Sequence, residues 1–375
     1  MSHDPHDPHD PHAAPTSDSP SDLPSDRSFD RSFDRSFDRA SDRLSDPLSD
    51  VLRSVRLRGS VFFHVSCRDD WAAWAPPSRE LAPAVMPGAE HVIEYHLVVK
   101  GECWIALDGE APRRLQAGDI AMLPHGDAHA VSSAPGLHPA RGDGLLFQPE
   151  EPKPIPVTYR GFMVEPGLLP SEDASTVLLC GFIACDLRPF NPLIDALPRL
   201  LVLPRDSVGE WVAPMLSHAA SETVSRRAGT AAMLERVSEM VFVDGARRYL
   251  ESLPAASRGW LGALKDRQVG HAITLMHGDP SAPWTLEELG HRVGLSRSAL
   301  HERFVSLAGM PPMQYLTHWR MQCGARLLRE SRAAVAAIAL EVGYDSEAAF
   351  SRAFKRAAGL PPATWRRAQQ GSAAA

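Results

Sequence analysis

Two groups of residues have the type and spacing to do chemistry. Glu94 and His96 stand two apart in a strand-like run that continues Leu97-Val98-Val99, so alternation points both side chains to one face. The other group lies near the C-terminus. Leu300 with Phe304, and Phe350 with Phe354, are four apart and mark the buried stripes of two helices. Off those stripes lie Arg297, Ser298, His301 and Glu302 on the first helix, and Glu347, Ala348, Ser351, Arg352 and Lys355 on the second. Side chains of these types read base edges when a helix enters the major groove. Arg297, Arg303, Lys355 and Arg356 are placed for phosphates.

The two helices belong to an internal repeat at an offset of fifty residues. Ser296, Leu300, Phe304, Gly309, Pro311 and Pro312 return as Ser346, Phe350, Phe354, Gly359, Pro361 and Pro362. The serines suit N-caps, and the glycines suit a left-handed residue ending a helix that the prolines cannot continue. Upstream of each copy a second helix is legible, Leu286–Val293 after Thr285 and Val335–Val342. A small residue in each (Gly290, Ala339) allows a close crossing, and a glycine four later (Gly294, Gly343) makes the turn. This is a helix-turn-helix, present twice. Between the copies, Met313–Glu330 reads as one amphipathic helix of roughly 27 Å, near the spacing of successive major grooves.

On these motifs, residues from about Asp266 to Arg367 resemble an AraC/XylS-type DNA-binding domain. The resemblance rests most on the tract from Gly343-Tyr344-Asp345-Ser346 through Phe350 and Phe354 to Gly359-Leu360-Pro361-Pro362, and on Pro311-Pro312-Met313-Gln314-Tyr315-Leu316. It implies a seven-helix domain that activates or represses transcription, with effector binding in an N-terminal domain. It also implies base contacts from Ser298, His301, Glu302, Glu347, Ser351 and Arg352. Glu302 departs from the usual basic or amide residue. A carboxylate can accept from cytosine but is repelled by phosphate.

Residues 51 to 205 have a different texture, short β-like runs punctuated by turn signals such as Asp108-Gly109 and Pro135-Gly136, which argues a sandwich or barrel. Gly118 through Pro124, Gly126 and His129 match the second sequence motif of the cupins, and the stretch from Gly88 to His96 resembles a damaged first one. The resemblance implies a cupin-like sensing barrel in which Glu94, His96 and His129 line an effector pocket. Two histidines and one carboxylate also form the facial set that suits Fe(II) or another divalent ion. A metal-free pocket is the simpler expectation, because the first motif is broken. The alternative function is a metal-dependent cupin enzyme with an appended DNA-binding domain. Of the five cysteines, Cys67 and Cys103 could form an oxidant-sensing disulfide, although buried inert thiols account for the set as well.

The fold class expected is therefore multidomain β + α. A low-complexity tail occupies 1–50, with His-Asp-Pro and Arg-Ser-Phe-Asp repeats and 12 Asp against 5 Arg, too polar to offset its ordering entropy. The cupin-like barrel follows over 51–205. A helical dimerisation segment over 206–262 carries apolar periodicity at Val208–His218 and Ala231–Leu250, on helices that could equally pack on the barrel, and an all-α tandem helix-turn-helix domain occupies 263–370. The net charge of -7 is unevenly spread, since residues 263–370 hold 14 Lys and Arg against 9 Asp and Glu. No apolar run is long enough to span a membrane, and the first residues lack the pattern of a secretory signal. The expectation is a cytoplasmic, homodimeric, non-enzymatic regulator with no resident cofactor. Its partners would be double-stranded DNA, a small-molecule effector and RNA polymerase.

Overall fold

A computed structural model describes residues 46–137, 154–161, 163–166, 173–206, 215, 218, 221–222 and 227–371. The repeats of the N-terminal tail lie outside these residues, as does most of the helix expected at Val208–His218. The low-complexity region gives way before residue 50. Asp46 caps helix α1 (Pro47–Ser54) through its side chain, and Leu48 and Val51 are buried one turn apart. That short apolar repeat is enough to dock a helix when a surface is waiting for it.

Among the described residues, eleven strands make two sheets that face each other, the form taken by the expected barrel. The larger sheet has the order β11 (Leu201–Leu203), β6 (Ile120–Leu123), β3 (His91–Lys100), β10 (Thr176–Cys185), β1 (Arg58–Arg68), β8 (Ile155–Arg160) and β9 (Met163–Pro166). The smaller has the order β2 (Ala72–Ala75), β7 (His129–Ser132), β4 (Glu102–Leu107) and β5 (Arg113–Gln116). Helix α2 (Ser78–Val85) interrupts the strand series, which the sequence reading did not anticipate.

The central strands β3 and β10 are buried on both faces, which is why they read as nearly continuous apolar runs. Toward the smaller sheet they send Val92 and Val98, with Leu178, Cys180 and Phe182, into a core between the sheets. Toward the other side they send Ile93, Tyr95 and Leu97, with Leu179, Ile183 and Cys185, into a second core. That second core runs through α3 (Pro192–Ala196) and α4 (Thr230–Ser252) into the C-terminal helices, so that Leu44–Ala375 is one compact unit.

Helix α4 confirms the periodicity expected over 231–250, but its apolar stripe, with Leu234, Val237, Val241, Phe242 and Ala246, faces the larger sheet. The stripe expected to serve a dimer is thus spent within the chain. Helix α5 (Trp260–Lys265) already belongs to the C-terminal helices, because Trp260 Nε1 donates to Tyr315 Oη at 2.9 Å. The boundary expected at 262/263 falls inside it.

The remaining helices are α6 (Arg267–Gly278), α7 (Leu286–Val293), α8 (Arg297–Ala308), α9 (Pro312–Glu330), α10 (Val335–Glu341), α11 (Glu347–Ala358) and α12 (Pro362–Gly371). Each repeat folds as the sequence implied. Ser296 accepts from the Ala299 amide and Ser346 from the Ala349 amide. Gly294 and Gly343 make the turns at φ 72° and 82°. A Cβ on Gly290 would lie 2.8 Å from the Leu295 carbonyl oxygen, so the first crossing requires glycine.

Substitutions in the second repeat separate cap from core. Ser346→Ala should cost about 1 kcal/mol and Phe354→Ala about 3–5 kcal/mol, the latter emptying a fully buried site. Urea unfolding of the full chain, followed by far-ultraviolet circular dichroism, checks the ranking.

Candidate functional site

Leu300, Phe304, Phe350 and Phe354 are fully buried, which turns the opposite sides of α8 and α11 outward. Arg297, Ser298, His301, Glu302 and Arg303 are exposed on α8, and Glu347, Arg352, Lys355 and Arg356 on α11, with Ser351 half-buried. The cations of the two helices are in different states. Arg297 pairs with Glu287 at 3.0 Å, and Arg303 lies against Asp266 in a two-pronged contact of 2.6 and 3.0 Å. Arg303, expected to be a phosphate contact, is therefore engaged at the N-cap of α6, a role invisible without the fold. Among the described residues, no carboxylate lies within ion-pair distance of Arg352, Lys355 or Arg356.

The helix joining the two units, α9, is held by the N-terminal domain. Gln322 is 2% exposed in the middle of its apolar face. Its Nε2 donates to the Ser54 carbonyl at the end of α1, and its Oε1 accepts from the Phe190 amide, both at 3.1 Å. Arg329 donates to the same Ser54 carbonyl and pairs with Asp186 at 3.0 Å, one residue beyond the end of β10. His277 of α6 stacks on Trp319 with centroids 3.8 Å apart and places Nδ1 3.4 Å from Asp50 of α1. Apart from Trp319, an apolar position of the amphipathic helix read over Met313–Glu330, none of these residues was singled out from sequence. The signals were a glutamine in an apolar stripe and a short amphipathic turn at 47–54.

The residues expected to line an effector pocket do meet. Glu94 and His96 leave β3 on its inner face, and His129 begins β7 on the opposing sheet. All three are buried, and their ligand atoms lie within 4.8 Å of one another. They form the polar end of a cavity of about 120 Å³ whose walls include Phe63, Trp71, Tyr159 and Phe182.

Hydrogen bonding fixes the tautomers. His129 Nδ1 donates to the Asp127 carbonyl at 3.0 Å, so a neutral ring leaves Nε2 as an acceptor. That Nε2 lies 2.6 Å from His96 Nε2, which donates, leaving His96 Nδ1 to accept from the Cys180 thiol at 3.0 Å. Cys180 stands directly opposite His96 in the β3–β10 register. The same groups fit a divalent ion. Both Nε2 atoms face one point, the Cys180 sulfur can accept if the His96 proton moves to Nδ1, and the buried Glu94 Oε2 has no hydrogen-bond partner.

Cys67 and Cys103 are free and buried. Burial, together with the neighbouring Cys103, raises the Cys67 thiol, and burial pushes Cys103 up to about 12. Both are therefore protonated, unreactive thiols at neutral pH.

Burial also sets the pH response. It lowers His64 and His129 from 6.5 to about 4 and raises Glu94 from 4.5 to about 8. The unfolded chain binds more protons than the folded one at the two histidines between pH 6.5 and 4, so their contribution is lost as the solution is acidified. At Glu94 the folded state binds more, so its contribution is lost as pH rises from 4.5 to 8. Acidification from about pH 7 to 5 should therefore lower the melting midpoint, measured with EDTA present, and Glu94→Gln should steepen that fall by removing the opposing group.

The N-terminal domain matches the Cupin family over residues 46–251, and the C-terminal region matches a helix-turn-helix domain family over residues 289–368. An AraC-like transcription regulator of Streptomyces lividans is 33% identical over 287 residues, covering 76% of this chain and 90% of that protein. The transcriptional regulator AlkR of Acinetobacter baylyi is 27% identical over 305 residues, covering 80% and 92%. Among solved structures, ToxT of Vibrio cholerae aligns over 85% of this chain and 99% of its own at 11% identity, with a TM-score of 0.32. The chain belongs to the AraC family of DNA-binding transcription regulators, with a cupin domain preceding the paired helix-turn-helix units.

Proposed function

We propose that the protein regulates transcription by setting α8 and α11 in successive major grooves of one duplex, under the control of an effector in the cavity between the sheets. The carrying observation is the pair of equivalently capped recognition helices with exposed outer faces. Ser298, His301, Glu302, Glu347, Ser351 and Arg352 are the base-reading residues in this proposal, and Arg297, Lys355 and Arg356 the phosphate contacts. Arg303 joins them only by exchanging Asp266 for a phosphate.

A route from cavity to DNA is supported by strand alternation. Cys180 and Phe182 of β10 line the cavity, Leu179 and Ile183 enter the core shared with the DNA-binding helices, and Asp186 follows at the strand's end against Arg329. A shift of β10 on effector binding would move α9 and with it both units. A homodimer, with RNA polymerase as a further partner, completes the proposal. On α4 the exposed Met240 and Val243 are available to such a contact. Among the described residues no helix is long and apolar enough to cross a membrane, which agrees with a cytoplasmic site of action.

A second reading, a metal-dependent cupin enzyme, is favoured by the three convergent donors. Glu94, His96 and His129 would hold the ion, which would supply Lewis-acid activation of a bound oxygen. Stoichiometric iron in the purified protein, together with turnover of a small organic substrate, would establish it.

For the regulator, fluorescence anisotropy on a duplex selected from random sequence is the test. Arg352→Ala should weaken binding about 5- to 100-fold, and Lys355→Ala should reduce the dependence of log K on log salt by about one. Unchanged affinity in both variants removes α11 from the interface.

A further inference from the structure

The cavity restricts its occupant in size, polarity and charge. Its volume of about 120 Å³ is close to the roughly 150 Å³ at which an apolar protein cavity takes up benzene. A molecule much above about eight non-hydrogen atoms outgrows it. Phe63, Trp71, Tyr159 and Phe182 offer ring faces and edges, so a flat or ring-shaped guest gains the most contact. Among the described residues lining the cavity there is no lysine or arginine, so a buried anion would find no counter-charge.

Two buried polar atoms of the wall residues are unmet, the Trp71 Nε1 donor and the Glu94 Oε2 acceptor. Glu94 is 4% exposed and lines the cavity, and its Oε2 has no hydrogen-bond partner. A buried carboxyl oxygen left without a partner is costly, and the protein around it supplies none. His96 and His129 are already engaged with each other and with Cys180 and Asp127. Of the two, the carboxyl can both accept and, when protonated, donate, and it stands with His96 at 3.8 Å, whereas the indole N–H can only donate and belongs to the aromatic wall.

We infer that the cavity takes up an uncharged, ring-sized organic molecule bearing a single hydrogen-bonding oxygen, and that this oxygen meets the Glu94 carboxyl. As the identity of the signal, the inference rests on the sensing reading proposed above; as a binding site it stands without it.

Isothermal titration of the full chain near pH 7 with EDTA tests it, using phenol as the probe, toluene as its oxygen-free counterpart, and benzoate and benzylamine as charged counterparts. Phenol should bind about tenfold more tightly than toluene, the worth of one hydrogen bond, and both charged probes should bind more weakly than phenol by at least that factor. Glu94→Leu should bring phenol and toluene within about twofold of each other while both still bind. Ala73→Leu, at a half-buried wall position, should fill part of the cavity and weaken both neutral probes by about tenfold or more.

Absence of phenol binding, benzoate or benzylamine binding as tightly as phenol, a phenol preference that survives Glu94→Leu, or binding that appears only when zinc replaces EDTA would each overturn the inference. Phenol-bound protein is then titrated with the selected duplex. Cavity binding that leaves DNA affinity unchanged supports the site and counts against the sensing reading instead.

Discussion

A buried amide cannot be left without partners, and in this molecule Gln322 satisfies that constraint by joining three parts of the chain. Its carboxamide lies within the helix between the two DNA-reading units, yet both of its bonds go to backbone of the N-terminal domain, at Ser54 and Phe190. An unpaired buried polar group costs about 1–3 kcal/mol. Separating the domains would leave the amide, the Ser54 carbonyl and the Asp186–Arg329 pair to be resolvated together. The arrangement of both recognition helices therefore depends on where the sensor domain holds α9.

The sensor side of this junction is built from strands with no solvent face. On β3 and β10, successive residues alternate between the chamber holding Glu94, His96 and Cys180 and the core shared with the C-terminal helices. A close-packed interior transmits displacement because it has little free volume to absorb it. The chamber and the DNA-binding helices are thus on opposite faces of the same strands, and Asp186 carries the end of β10 to Arg329. The electrostatics of the chamber follow from the same burial. Its histidines and its carboxyl are pushed toward their neutral forms.

The paired helix-turn-helix units were fully legible, because each of their devices is local. A serine cap, two large apolar residues four apart and a glycine-proline stop act within one or two helical turns, and their recurrence fifty residues later removes the ambiguity of a single match. Glu94 and His96 could be placed on one face by alternation, and a motif supplied His129. Their meeting across two sheets depends on register, which alternation does not fix. Less visible were contacts between distant segments. Nothing near Arg303 in sequence announces Asp266, and nothing near Gln322 announces Ser54. The stripe on α4 was read correctly as apolar, but periodicity says only that a face is buried. It does not say whether a sheet of the same chain or a second subunit covers it.

At about 28 Å, the 19-residue α9 is nearly as long as one turn of DNA, the separation that the proposed function requires of the two units. Hydroxyl-radical footprinting of the full chain on a duplex selected from random sequence tests that geometry directly. Two protected patches on one face of the duplex, centred about ten base pairs apart, are expected. A single patch, or protection without sequence preference, would contradict the account.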